Sequence, residues 1–136
     1  MRFFPLLLIV VIIYNVIAFA GGHNVPDTLN SATNIHMFSG DVWHYSLGDV
    51  LVTLGLVLLF VEIIKSTRTT SNQIVNHGLS MLTFVVALVE FIVLKGFATS
   101  TFFQILAMCL IDVVGGYTIS IVAAEHDLGL GRAGTD

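Results

Sequence analysis

GLSMLTFVVALVEFIVLKG, Gly78 to Gly96, is nearly pure hydrocarbon with a single carboxylate inside it, Glu90. A run this long and apolar reads as a membrane-crossing segment, which needs about 20 residues. Lipid offers the backbone no hydrogen-bond partners, so the segment must be helical. It raises the question of why a stretch built to avoid water keeps an acid. The same question recurs elsewhere in the chain, at Asp49, Glu62 and Asp112.

Composition supports the membrane reading. Of the 136 residues, 56% are hydrophobic and 10% charged, against about 25% charged in soluble domains. Mean hydropathy is +0.95. Lipid must therefore be part of the solvent. The formal net charge of −4, with no basic cluster, argues against a nucleic-acid partner, which needs many Lys and Arg contacts to phosphate. Cys109 is the one cysteine. It cannot close an internal disulfide, and it reads as a small buried hydrophobe. There is no CxxC, CxxCH, HExxH or Gly-rich phosphate loop, so no motif marks an enzyme.

Four apolar runs stand out, Phe3–Ala20, Leu47–Ile64, Ile74–Leu94 and Ala98–Ala124. They predict an all-α integral membrane protein, a single transmembrane domain over residues 1–136 folded as an up-down four-helix transmembrane bundle. The runs are continuous rather than alternating, which disfavours a β-barrel. Arg2, the apolar core and Ala18-Phe19-Ala20 resemble a cleavable leader; the segment is read here as a retained span. With the N-terminus inside, Arg2, Lys65, Arg68 and Arg132 fall on the cytoplasmic side and only Lys95 outside. That bias fits an N-in, C-in topology. The tight Lys95-Gly96-Phe97 turn makes the third and fourth spans antiparallel neighbours, and the Lys65–Gln73 loop predicts the same for the second and third. The outer loop, Gly21 to Ser46, has room for a short surface helix, and Trp43 and Tyr45 suit the headgroup layer. The polar, Gly-rich tail 125–136 is expected to be mobile.

Helical periodicity says where the polar groups point. At 100° per residue, Asn76, Ser80, Thr83, Ala87 and Glu90 share one side of the third span, opposite Leu82, Val85, Val89 and Ile92. Small and hydroxylated side chains normally face protein, where they allow close packing and interhelical bonds. In the fourth span Thr101, Gln104, Met108, Asp112 and Gly115 form a similar face; in the second, Gly48, Gly55 and Glu62 recur at sevens, with Asp49 and Thr53 on a separate strip. Depth sorts the acids into an outer group, Asp49 and Glu90 with His44 nearby, and an inner group, Glu62 and Asp112 with His77. No Lys or Arg lies well inside a span to balance them. Each acid must then hold its proton, hydrogen-bond to neutral polar groups, or meet another subunit. Asp49 has the further option of capping a helix N-terminus, and Glu62 stands close enough to Lys65 to reach the inner headgroups.

The histidines give weaker expectations. His77 and His126 lie toward one membrane face and suggest haem b ligation. His23, His36 and His44 share the outer loop with Asp27 and Asp41 and suggest a divalent metal site. Neither spacing matches a tight motif. The leading expectation is a non-catalytic accessory or structural subunit, partnered by the bilayer and by other membrane subunits or copies of itself, in a bacterial inner membrane. Alternatives are a proton- or cation-coupled transporter or channel subunit using Glu90 and Asp112, and a haem or metal protein in electron transfer.

Overall fold

Pro5 fixes where the first helix begins. It has no N–H to offer a preceding turn, while its carbonyl accepts from the Leu8 N–H at 3.1 Å and starts the hydrogen-bond ladder. The computed structural model of the chain describes residues 4–22, 24–68 and 73–133. Helix α1 (Leu7–Ala20) has 14 residues. At about 1.5 Å per residue it is about 21 Å long, short of the roughly 30 Å of hydrocarbon in a bilayer. This corrects the longer span expected from Phe3, a residue outside those described. A short helix, α2 (Val25–Leu29), follows with Pro26 in its first turn, where a missing N–H costs nothing. Its Val25 and Leu29 are buried.

An antiparallel hairpin comes next and corrects the all-α expectation. Strand β1 (Ala32–His36) pairs with β2 (Val42–Ser46), in register from Ala32↔Ser46 to His36↔Val42. The connecting turn is closed by the Gly40 N–H on the Met37 carbonyl at 3.0 Å. Gly40 has φ +93°, a conformation that only glycine adopts without steric cost. The signal was present: β-branched and aromatic residues Thr33, Ile35, Val42, Trp43 and Tyr45 flank Ser39-Gly40-Asp41.

Among the described residues three helices are long and apolar enough to cross a bilayer: α3 (Leu47–Ser66), α4 (Gln73–Val93), over its Ile74–Val93 part, and α5 (Ser100–Ala133), over its Ser100–His126 part. Much of the tail expected after the fourth span has helical backbone. Once a long helix exists, adding residues needs no new nucleation, and α5 continues to Ala133; residues 134–136 lie outside those described.

Glycines decide which helices touch. A Cβ on Gly48 would sit 2.6 Å from the Thr101 hydroxyl, and one on Gly55 2.7 Å from the Met108 sulfur. The two pairs ascend together, so α3 and α5 run parallel in close contact. α5 also packs along α4, and it is α5, not α4, that is the main neighbour of α3. This corrects the expectation drawn from the Lys65–Gln73 loop, part of which lies outside the described residues. Seven-residue spacing of glycine on α3 lets two backbones approach, and α4 has only Gly78 to answer it. Helix α1 lies against α3, α4 and α5, burying Leu7, Val10, Val11, Tyr14 and Ala18. Tyr14 is wedged beside Phe97 and Phe102, with ring centroids 5.2 and 4.7 Å away.

Candidate functional site

Two polar knots tie the helices together, one at each end. The first is built on Glu62, near the C-terminal end of α3. Its side chain is fully buried, yet it accepts from three directions: the Leu6 N–H preceding α1 at 3.2 Å, the Asn76 amide of α4 at 3.1 Å, and the Lys65 ammonium at 3.3 Å. The first turns of α1 and α4 have orphan N–H groups and sit where the charge is welcome. Lys65 is only partly buried, so its head keeps water while its stem covers the acid.

Around this acid lie Asp112, His77 and a set of hydroxyls. Asp112 on α5 is buried beside the Ser80 hydroxyl and within the electrostatic reach of Glu62. His77 is buried as well; its Nε2 lies 2.8 Å from the Ser120 hydroxyl and its ring stands 4.7 Å from that of Tyr117. Ser120 in turn donates to the Ser66 carbonyl at 3.4 Å, joining α5 to α3. Gly116 makes room for this: a Cβ there would meet the imidazole at 3.1 Å. Asn76 gives its amide N–H to Glu62, while its own carbonyl oxygen, Oδ1, is buried without a partner among the described residues.

The opposite knot is built on α1. Glu90, half-buried, accepts from the Asn15 amide at 3.1 Å. One turn's breadth away the Tyr14 hydroxyl donates to the Gly96 carbonyl at 2.8 Å and meets the Thr99 hydroxyl at 2.6 Å. Gly96, at φ +86°, supplies the sharp reversal between α4 and α5.

The remaining sequence-derived residues fall as follows. Asp49 is apart from Glu90: it completes a capping box with Ser46, accepting from the Ser46 N–H at 2.9 Å while the Ser46 hydroxyl accepts from the Asp49 N–H at 3.2 Å. The predicted outer acid group is therefore two separately satisfied acids, because the start of α3 supplies its own donors. His44 is also apart, its ring paired with Asn34 on the hairpin. On α4, Ser80, Thr83 and Ala87 are buried and Asn76 half-buried; Gly55 is buried and Gly115 half-buried. Gln104 departs from its expected interface: it is exposed, lining a shallow hollow with Phe91, Thr99 and Phe103. The broad polar face of α5 exceeds what two neighbours can cover, and Phe102, Ile105 and Cys109 take the buried arc. His36 shares one hairpin face with His44, His126 is exposed further along α5, and His23 lies outside the described residues. No group of three or more His, Cys, Asp or Glu is placed to hold a metal among the described residues.

The sequence reading passed over Tyr14, Asn15, Ser66 and Ser120. A phenol and an amide inside an otherwise apolar helix were the available signal, since buried tyrosine hydroxyls usually find a partner. Comparison of the chain with family models, curated proteins and solved structures finds no match.

Proposed function

We propose that the protein is a small multi-pass membrane protein serving as a non-catalytic accessory or structural subunit of a larger or homo-oligomeric membrane complex. It lies in a bacterial inner membrane as an up-down four-helix bundle with both ends in the cytoplasm. Lys65 and Arg68 then flank the Glu62 knot on the inner side and Lys95 marks the outer turn. The short α1 is met by local thinning of the bilayer and by its flanking residues. One observation carries this reading: the polar groups at helix depth join helix to helix, with Glu62 alone bonding to the start of α1, to α3 and to α4. Outward faces stay apolar, as with Leu82, Val85, Val89 and Ile92 on α4, and are free to meet lipid or neighbouring subunits. The test is gentle detergent extraction followed by native mass spectrometry. A stoichiometric partner or a defined oligomer is expected, and a solitary monomer overturns the reading.

A second reading, a proton- or cation-coupled transporter subunit, is favoured by the buried Asn76 Oδ1, without a partner among the described residues, on a side chain bonded to Glu62, which lies in turn within electrostatic reach of Asp112. An oxygen acceptor close to an acid suits a proton donor or a cation. Under this reading Glu62→Gln and Asp112→Asn abolish ion flux in reconstituted vesicles; unchanged flux removes both residues from any such mechanism.

A further inference from the structure

The hairpin is amphipathic, and its apolar face is turned to the lipid side of α3. Strand alternation puts Thr33, Ile35, Trp43 and Tyr45 on one face and Asn34, His36, Val42 and His44 on the other. The first face is a contiguous aromatic and aliphatic patch: Trp43 lies opposite Ile35, and its ring meets Tyr45 edge-on at 4.8 Å. The second has one large apolar side chain, Val42, and is otherwise polar or small, with His44 bonded to Asn34. Trp43 and Ile35 are nonetheless 50% and 39% exposed, so among the described residues nothing covers the patch fully.

Where the patch points is fixed by one bond. The Tyr45 hydroxyl donates to the Thr53 hydroxyl at 3.0 Å. Thr53 lies six residues into α3, about 9 Å below its start at a rise of about 1.5 Å per residue. It sits on the stripe Val50, Thr53, Val57, Phe60 and Ile64, every member of which is exposed and turned away from α5. The face that carries Trp43 therefore leans onto the flank of a bilayer-length helix and continues its apolar surface outward.

We infer that the hairpin lies in the membrane interface as a lipid-binding wedge, with Ile35, Trp43 and Tyr45 set among headgroups and upper acyl chains and the histidine face toward water. Aromatic rings with one wet and one apolar side belong in this layer. Residues 32–46 contain no Lys or Arg and one acid, Asp41, so attachment depends on apolar burial and not on anionic lipid. The inference rests on α3 crossing the bilayer.

Trp43 is the one tryptophan in the chain, which makes the test direct. The full-length protein is reconstituted in phosphatidylcholine vesicles brominated at defined acyl positions, and its fluorescence is compared with quenching by aqueous iodide. Trp43 is expected to emit at short wavelength, to lose most of its emission when bromine is near the headgroup end of the chain, and to respond weakly to iodide. Adding anionic lipid leaves this unchanged. A second protein, carrying Trp43→Phe and Val57→Trp, reports on α3 itself. Quenching of the tryptophan at 57 by deep bromine together with iodide-quenched Trp43 overturns the wedge while leaving the span intact; the patch would then await a protein partner. Absence of lipid quenching at both positions overturns the wedge and the spanning of α3 together.

Discussion

Glu62 and Glu90 are the same side chain at two ends of one helical body, and they are held differently. Glu62 is fully buried and takes three donors from three parts of the chain; Glu90 is half-buried and takes one, the Asn15 amide. The contrast follows from desolvation. The cost of burying a charge rises steeply as water is withdrawn, and only good pairing offsets it. Glu62 has therefore become a junction on which several helices depend, whereas Glu90 is a single tie whose open side can be solvated. Asp49 is a third case, an exposed acid that serves its own helix start.

This contrast can be broken experimentally. The largest effect belongs to Glu62→Leu, which leaves the Asn76 amide and the Leu6 N–H without their acceptor, while the Lys65 ammonium can turn to water. A loss of about 2–5 kcal/mol is expected from two unsatisfied donors, read as the shift in unfolding midpoint in mixed detergent micelles. Glu62→Gln keeps both carbonyl-type acceptance and shape and should lose visibly less. Next comes the packing beneath the knot. Gly55→Leu forces side-chain volume into the Met108 sulfur, 2.7 Å from where a Cβ would begin, at a cost of about 1–3 kcal/mol. The Met108 end is flexible, so Gly55→Ala should sit at the bottom of that range, and the pair of variants measures how far the neighbour yields.

At the Glu90 end the effects shrink. Tyr14→Phe removes the hydroxyl shared by Gly96 and Thr99 and should cost about 1 kcal/mol, with the melting temperature of the detergent-solubilised protein as readout. Smallest is the Asn15–Glu90 tie. A double-mutant cycle with Asn15→Leu and Glu90→Gln should return a coupling of about 0.6 kcal/mol, the average for interhelical hydrogen bonds in membranes. A coupling as large as that of the Glu62 junction would erase the distinction between the two ends.

Much of this arrangement was legible in the chain. The apolar runs located α3, α4 and α5 because length and hydropathy are local properties. The sevens of Gly48, Gly55 and Glu62 marked the side of α3 that is buried, and periodicity separated Ser80, Thr83 and Ala87 from the exposed Leu82, Val85 and Val89. Neighbour choice was legible for α4 and α5, joined by the Lys95-Gly96-Phe97 turn, but not for α3. A short loop suggests adjacency, but the contact of α3 with α5 depends on glycines two elements apart meeting Thr101 and Met108. The hairpin had a composition signal around Ser39-Gly40-Asp41, but strands of five residues each gain stability only from pairing, so that signal is weak beside the apolar runs. The partners of the acids were missed because they too come only with pairing: Leu6 meets Glu62 across 56 positions and Asn15 meets Glu90 across 75.

The junction between Ser46 and Leu47 has its own mechanical consequence. β2 ends and α3 begins with no residue between them, and the Ser46–Asp49 box and the Tyr45–Thr53 bond brace the joint on both sides. The hairpin cannot swivel on its own; it acts as an outrigger fixed to the mast. Any roll of α3 about its long axis must sweep Trp43 through an arc, so the hairpin sets the angular bearing of that helix.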